Sequence, residues 1–277
     1  MVSASVGIDP EIAAHYELGV ERDRLATWGR LEAARTQELL GRYLPPPPAV
    51  ILDVGGAEGA YALPLARAGY TVHLLDPMDS HVETARSASA AHAGAPLASA
   101  AVGDARAVPY DDAIADAVLL LGPLYHLIAA GDRALALREA HRALRPGGVL
   151  LAAAISRFAS TLDGIRHRYI YDPTFERIVE GDLRDGVHRN PDVMGHPEWF
   201  TLAYFHAPQT LRDEVQGAGF SDVQLLAIEG IAAVAQLNDA LDDPVRRETL
   251  LRAIRRVEAE PSLLGASPHL MAIAAKS

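Results

Sequence analysis

Apolar positions between residues 50 and 155 follow two alternating patterns. Short runs of consecutive apolar residues, typical of strands buried on both faces, are separated by segments in which apolar residues recur every three or four positions. Because strands and helices alternate, this region is predicted to form a parallel, doubly wound sheet. The predicted strands are residues 50–54, 71–75, 97–102, 115–121 and 149–155, and the predicted helices are residues 60–68, 81–92 and 134–144.

The flanking segments follow other patterns. Residues 9–43 predict two helices, and the prolines at 45–48 end them because proline cannot donate a helix hydrogen bond. Residues 156–208 are rich in His, Tyr, Phe, Asp and Arg and predict an inserted helical cap. Further on, the pattern predicts helices at residues 208–219 and 244–258 and strands at residues 223–228 and 269–274. The predicted fold is α/β, with a doubly wound, Rossmann-like, seven-stranded, mostly parallel sheet, N-terminal helices and a helical cap after the fifth strand.

Composition narrows the classes of function. The chain has 277 residues, no cysteine and a net charge of −11. Without cysteine there are no disulfides or thiol nucleophiles, and without an H-x-x-x-H pair on a predicted helix we expect no metal. The negative charge argues against nucleic acid as a partner. No apolar run approaches the ~20 residues that cross a bilayer, and the N-terminus does not resemble a signal peptide, so we expect no membrane partner and a cytoplasmic location.

A glycine-rich turn follows the first predicted strand. Residues 50–59 read as a buried strand that contains Asp53, followed by a loop with Gly55, Gly56 and Gly59. Glycine lets backbone groups come close to a ligand because it has no Cβ. A dinucleotide-binding loop places such groups against a pyrophosphate, which an acid at the strand end would repel. The position of Asp53 therefore favours a ligand that carries an ammonium group.

Other strand ends carry polar residues in the same order along the chain. Asp76, Asp104 and the segment 122–126 each follow a predicted strand, and such ends meet at one edge of a parallel sheet. With these residues in place, the chain resembles the class I S-adenosylmethionine-dependent methyltransferases over roughly residues 49–155. The motifs that carry the resemblance are L-D-V-G-G-A-E-G at 52–59, V-H-L-L-D at 72–76, G-D-A at 103–105, D-A-V-L-L-L-G at 116–122 and L-R-P-G-G-V-L at 144–150. Ala57 departs from the family's pattern, which has glycine there.

The resemblance implies S-adenosylmethionine as cofactor and assigns roles to residues. Asp53 would lie near the methionyl ammonium, with a backbone contact from Gly55. Asp76 would accept hydrogen bonds from both ribose hydroxyls, since a carboxylate can accept two at once. Asp104 would accept from the adenine amino group. The full set expected around the cofactor is Tyr16, Arg30, Asp53, Gly55, Gly56, Gly59, Asp76, Pro77, Met78, Asp104, Ala105 and Leu121.

The N-terminal helices have two interpretations. By resemblance they form a lid in which Tyr16 closes on the sulfonium by cation–π attraction, and Arg30 or Arg35 pairs with the cofactor carboxylate. The alternative for the arginines is an ordinary amphipathic helix with ion pairs between neighbouring turns.

Four side chains are candidates for catalysis. His126 follows the fourth strand and is the first candidate for a base, because the ordinary pKa of histidine is near neutrality. Tyr125 would orient the substrate. His188 and His206 in the cap are the other candidate bases. The alternative for each histidine is a packing or capping role.

The function predicted from these residues is methyl transfer from S-adenosylmethionine to the O, N or C atom of a small-molecule acceptor, with natural-product biosynthesis as the expected setting. Three alternatives remain: a non-methylating reaction such as cyclisation or decarboxylation, a nicotinamide oxidoreductase, and a non-catalytic binding module. A homodimer through the N-terminal helices or the cap is a further hypothesis. The predicted parts are a lid, a cofactor-binding core, a substrate cap and the rest of the core, at residues 1–48, 49–155, 156–208 and 209–277.

Overall fold

The computed structural model describes residues 7–92, 94–235 and 237–277. The strands of this part of the chain are β1 to β9: Val50–Val54, Thr71–Asp76, Ser99–Val102, Ala115–Leu120, Leu144–Ile155, Val187–His188, Ala203–Tyr204, Ser221–Ala227 and His269–Ala275. The helices are α1 to α10: Pro10–Glu17, Arg30–Tyr43, Ala62–Arg67, Asp79–Ala90, Pro123–His126, Ala130–Ala143, Ala159–His167, Pro173–Asp185, Pro208–Gly217 and Pro244–Arg255.

Seven strands form one sheet in the order β3-β2-β1-β4-β5-β9-β8. The first five strands in this order are parallel, whereas β9 runs antiparallel to both of its neighbours. Every residue of β4 is buried, as expected for a central strand covered on both faces. The predicted seven-stranded, mostly parallel, doubly wound α/β sheet is confirmed.

The hydrophobic core has two layers, one on each face of the sheet. Successive side chains of a strand point to opposite faces, so Ile51 and Leu52 belong to different layers. Ile51 packs with residues from α2, α3 and α4, and Leu52 packs with residues from α6 and α9. Helices on both faces leave the carboxyl edge of the parallel strands open, and this edge is where ligands bind in such sheets.

The structure differs from the sequence-based prediction in two segments. Residues 9–43 contain two helices as predicted, but residues 24–26 between them form a single turn of 3₁₀ helix, and the side chain of Trp28 is exposed. The cap contains α7 and α8 as expected, and also the short antiparallel pair of β6 and β7. Within the described part of the chain, no helix combines the length and apolar character that a bilayer crossing requires.

Candidate active site

A cavity of about 440 Å³ lies at the carboxyl edge of the sheet. It is lined by the ends of β1, β2 and β4 and by the N-terminal segment, which passes over them between residues 7 and 25. The sequence-predicted residues that the structure brings together on its walls are Tyr16, Asp53, Gly55, Gly56, Asp76, Pro77, Met78, Asp104, Ala105, Leu121, Tyr125 and His126. Arg30, Gly59, His188 and His206 are not among the lining residues.

The glycine loop is shaped by the neighbouring strand. The N–H groups of Gly55 and Gly56 both donate to the carbonyl of Leu75, at 2.7 and 3.2 Å. A backbone contact from Gly55 to a ligand therefore falls to its carbonyl, which suits an ammonium donor. Ala57 takes a left-handed conformation with φ of 46°, which explains why glycine is the residue favoured there. Gly59 also has positive φ and lies against Leu63, so its role is in the turn and not on the cavity wall.

Asp53 is the buried acid of the site. Its side chain is 1% exposed, and its Oδ2 atom has no hydrogen-bond partner within the described residues. Burial and the nearby carboxylate of Asp76 raise the pKa of Asp53 to about 7, against a smaller opposite effect of the Ala62 N–H. An ammonium group placed here would supply both the missing donor and the missing positive charge. This orphaned oxygen is the observation that fits the methionyl end of S-adenosylmethionine to the site.

Asp76 is held in place by three donors. The N–H groups of Ala57 and Met78 donate to its two oxygens at 2.8 and 3.0 Å, and the ring of His81 lies 3.0 Å from Oδ1. A carboxylate offers about four lone-pair positions, so with three donors in place one acceptor position remains for a ribose hydroxyl.

Asp104 follows β3, the strand that pairs with β2, and β2 ends at Asp76. Arg106 binds both of its carboxylate oxygens, with distances of 2.6 to 3.1 Å, and also reaches the carbonyl of Gly7. This arrangement fixes the carboxylate on the cavity wall and joins it to the N-terminal segment.

His126 and Tyr16 face each other in the cavity. The hydroxyl of Tyr16 lies 2.7 Å from Nε2 of His126, and the ring of Tyr16 also meets the edge of His81. Burial, with a further contribution from His15, lowers the pKa of His126 to about 3. A neutral imidazole with so low a pKa is a weak proton acceptor, and its Nε2 is already engaged. The geometry therefore favours a positioning role for His126 over the predicted role of base.

The two cap histidines do not suit the predicted role of base. Both ring nitrogens of His188 are engaged: Nδ1 lies 3.0 Å from a carboxylate oxygen of Asp182, and Nε2 donates to the carbonyl of Trp199 at 2.8 Å. His206 is fully buried, with Nε2 3.2 Å from Glu214. Neither ring lines the cavity, so both act in packing the cap.

The predicted arginines also lie elsewhere. Arg30 pairs with Asp242 at the surface, and Arg35 is fully buried between Glu38, Glu258 and the carbonyl of Ile228. Neither side chain lines the cavity, and each pairs with an acid outside α2.

The arginines on the cavity wall are Arg22 and Arg24. Sequence reasoning missed Arg24, as well as Glu32, His81 and His269. No local pattern singles these residues out, because the sheet and the N-terminal segment bring them together from distant positions.

The comparisons with known proteins agree with this geometry. Residues 52–152 match a family model described as a methyltransferase domain. Residues 52–152 therefore form a methyltransferase domain. S-adenosylmethionine is accordingly the cofactor of the domain, as the motifs at the strand ends predicted.

Relatives of this methyltransferase domain differ in what their names say they do. A ubiquinone biosynthesis O-methyltransferase of Methylobacterium sp. strain 4-46 is 33% identical over 114 residues, which is 39% of this chain and 41% of the relative. The chain therefore matches about two fifths of the length of that curated relative.

Solved structures with the same fold cover more of the chain. A possible histamine N-methyltransferase of Thermotoga maritima is 18% identical, with a TM-score of 0.56 and coverage of 96% of this chain and 98% of the other. The [4+2]-cyclase SpnF is also 18% identical, with a TM-score of 0.53 and coverage of 88% and 81%. At this identity the likeness shows the fold alone.

Proposed function

We propose that the chain transfers the methyl group of S-adenosylmethionine to a small-molecule acceptor. The observation that carries this proposal is the buried, unpartnered Oδ2 of Asp53, which shares one cavity with the carboxylate of Asp76. S-adenosylmethionine carries an ammonium group that would pair with Asp53 and a ribose hydroxyl that would donate to Asp76, so this pair of carboxylates matches the cofactor. A cavity of about 440 Å³ is within the usual range for a small-molecule site.

The chain's residues would hold the cofactor from three sides. Asp104 would take the adenine, Asp76 the ribose, and Asp53 with the Gly55 carbonyl the ammonium. The sulfonium supplies an activated methyl carbon, so the protein must align the acceptor and exclude water. Tyr16 would place its ring against the sulfonium, supported by its contacts with His126 and His81.

The acceptor is proposed to be a small molecule, of the kind made in natural-product pathways. The N-terminal segment and the strand ends surround the cavity, and the net charge of −11 disfavours a nucleic acid. Action in the cytoplasm and assembly as a homodimer belong to the same proposal.

The alternative that keeps the cofactor is a non-methylating reaction. The structural likeness to a [4+2]-cyclase is the observation in its favour. The two differ in their products, because only methyl transfer converts S-adenosylmethionine into S-adenosylhomocysteine.

The experiment combines binding and transfer. Calorimetry of the full chain should show binding of S-adenosylmethionine and S-adenosylhomocysteine. It should show no binding of NAD, because the carboxylate of Asp53 would repel the pyrophosphate of NAD. Methyl-labelled S-adenosylmethionine, incubated with a panel of small phenols, amines and carboxylic acids, should transfer label to at least one class. Binding of NAD alone would overturn the proposal. Turnover of any panel compound into an unlabelled product would favour the alternative.

A further inference from the structure

Three side chains from distant parts of the sequence meet at the edge of the cavity. Glu32 comes from α2, Glu229 follows β8, and His269 begins β9, and their ligating atoms lie within 4.8 Å of one another. Glu32 and His269 line the cavity. The roles proposed above for the cofactor use none of these residues.

The sheet order places this cluster at the acceptor end of the cavity. Asp104 follows β3, and His269 stands five strands further along the sheet, a separation of roughly 24 Å at the usual strand spacing. The cofactor roles occupy the stretch from β3 to β1 and β4. The part of the cavity beyond these strands is lined by Ala153, Ile228 and His269.

Glu229 fixes the ring of His269. Its Oε1 lies 2.6 Å from Nδ1 of His269, and its Oε2 accepts from the hydroxyl of Ser267 at 3.1 Å and from the His269 N–H at 3.2 Å. Nδ1 is thus the protonated nitrogen in the neutral ring. Nε2 has no hydrogen-bond partner within the described residues, and the side chain is 20% exposed on the cavity side.

The cluster does not suit a metal ion. Arg24 binds both carboxylate oxygens of Glu32, and Ser267 and His269 contact both carboxylate oxygens of Glu229. The charges of Glu32 and Glu229 are therefore already matched by Arg24 and His269.

We propose that His269 is the general base of the methyl transfer, that Glu229 positions it, and that the acceptor is a hydroxyl group. This inference rests on the proposed methyltransferase function. In the step, the acceptor O–H bond breaks and its proton goes to Nε2 of His269. The oxygen forms a bond to the methyl carbon while the C–S bond breaks, and its electron pair remains on sulfur. S-adenosylhomocysteine and the methyl ether result, and the imidazolium releases its proton to water.

The charges around His269 match this role. Burial alone would lower its pKa, but the carboxylates of Glu229 and Glu32 raise the pKa of His269 to about 9, against a smaller opposite effect of Arg24. Asp163, from α7, also lies near Glu229 and His269. A base of this strength is close to the pKa of a phenol, about 10, so proton transfer between them is nearly balanced. In the free protein at pH 8 a histidine with this pKa is mostly protonated, and the positive charge of a bound sulfonium lowers its pKa, so that the neutral ring that accepts the proton becomes more populated.

The first test needs no acceptor. The pKa of His269 is measured by NMR of the ¹³C-labelled ring in the full chain, assigned with the His269→Gln variant. We expect a raised pKa in the free protein, little change with S-adenosylhomocysteine, and a decrease of about one unit with S-adenosylmethionine, because only the latter carries the sulfonium charge. A pKa of His269 near the ordinary value of 6.5, or a pKa that Glu229→Gln leaves unchanged, would overturn the proposal that Glu229 acts on His269.

The second test uses phenols of graded acidity. His269→Gln should slow methylation of phenol, which is un-ionised at pH 8, by about 100-fold or more, and methylation of 4-nitrophenol, which is ionised there, by less than about threefold. Glu229→Gln should move the pH–rate profile to lower pH. His92→Gln, in the exposed turn that follows α4, is the matched control and should change neither rate.

Different results would contradict the role of His269 and the proposed methyltransferase function. Equal loss with both phenols would mean a structural role for His269 and would overturn the base assignment. If the wild-type chain binds S-adenosylmethionine and methylates amines but no phenol, the acceptor class is wrong while methyl transfer stands. If the wild-type chain does not bind S-adenosylmethionine, the proposed function itself fails.

Discussion

In the protein without ligand, the buried carboxyl group of Asp53 reduces the free energy of unfolding. A carboxyl group that is buried without a partner for Oδ2 is costly to ionise, and this is why its pKa is raised to about 7. The unfolded chain would ionise the same group near pH 4. Such a residue is retained in a core when a ligand completes its surroundings.

The first prediction concerns stability as a function of pH. Between about pH 4 and pH 7 the folded state holds a proton on Asp53 that the unfolded state has lost, so the contribution of Asp53 to stability falls as the pH rises through this window. At pH 8 the cost is on the order of 4 kcal/mol. Asp53→Asn should therefore stabilise the free protein, and more at pH 8 than at pH 5, in urea unfolding. Equal effects at the two pH values would contradict the buried-carboxyl account.

The same residue predicts the pH dependence of cofactor binding. An ammonium binds the ionised form, so affinity for S-adenosylhomocysteine should rise from pH 6 to pH 8, with uptake of the ligand accompanied by proton release. Calorimetry in buffers of different ionisation enthalpy measures this release. In Asp53→Asn the affinity should be weaker, and its slope between these pH values should be lost.

The role of Asp76 in cofactor binding can be tested with a neighbouring acid, Asp79, as the control. Asp76→Ala should weaken S-adenosylmethionine binding at least tenfold, since hydrogen bonds to a charged group contribute about 1.5–3 kcal/mol. Asp79→Ala, on the exposed first turn of α4, is the matched control. Dissociation constants from calorimetry decide the outcome, and similar values for the two variants would remove Asp76 from the cofactor site.

At the scale of a single element, α2 shows how two arginines of one helix differ. Arg35 is fully buried and joins α2 to Glu258 and to the carbonyl of Ile228. Arg30 pairs with Asp242 at the surface. Sequence reasoning treated them alike because both are arginines on a helix near the cofactor motifs, and only the packing of α2 against β8 and α10 separates them.

The prediction for α2 follows from this difference. Arg35→Met should reduce the free energy of unfolding by about 3–5 kcal/mol, because Glu258 and a backbone carbonyl lose a buried partner. Arg30→Met should change it by less than about 1 kcal/mol, as is usual for exposed ion pairs. Urea unfolding of both variants makes the comparison. A small effect of Arg35→Met would mean that Arg42, which also binds Glu258, suffices to hold it.

How far the sequence predicted the structure depends on whether the signal is local. The strands and the acids at their ends follow from short patterns, so Asp53, Asp76 and Asp104 were correctly expected near one another. The cap histidines could not be placed, because the burial of His188 and His206 depends on tertiary packing. His269 gave no signal at all: it begins an ordinary apolar strand, and its partner Glu229 lies 40 positions away.

At the scale of the whole molecule, the cavity joins the two ends of the chain. Its lining residues lie between Gly7 and Leu127, with Ala153, Ile228 and His269 in addition, so one ligand contacts residues that are far apart in the sequence. A ligand that binds only the folded state stabilises all of it by mass action.

The corresponding prediction is a ligand-dependent melting temperature. S-adenosylhomocysteine at 100 times its Kd should stabilise the fold by about 2.7 kcal/mol, seen as a shift of a few degrees in a calorimetric scan. NAD at the same concentration should produce no shift, and Asp76→Ala should reduce the shift caused by S-adenosylhomocysteine. A shift with NAD alone would point to an oxidoreductase.

The antiparallel placement of β9 has a consequence for biosynthesis. In the sheet, β8 pairs with β9 and β9 pairs with β5, so residues 269–275 are the link through which β8 joins the other strands. A ribosome delivers β8 first, and it must wait without a sheet partner while about forty further residues emerge. During this interval the growing chain exposes an unpaired strand edge, which is the kind of surface that chaperones protect. The last strand made both completes the sheet and places His269 on the cavity wall.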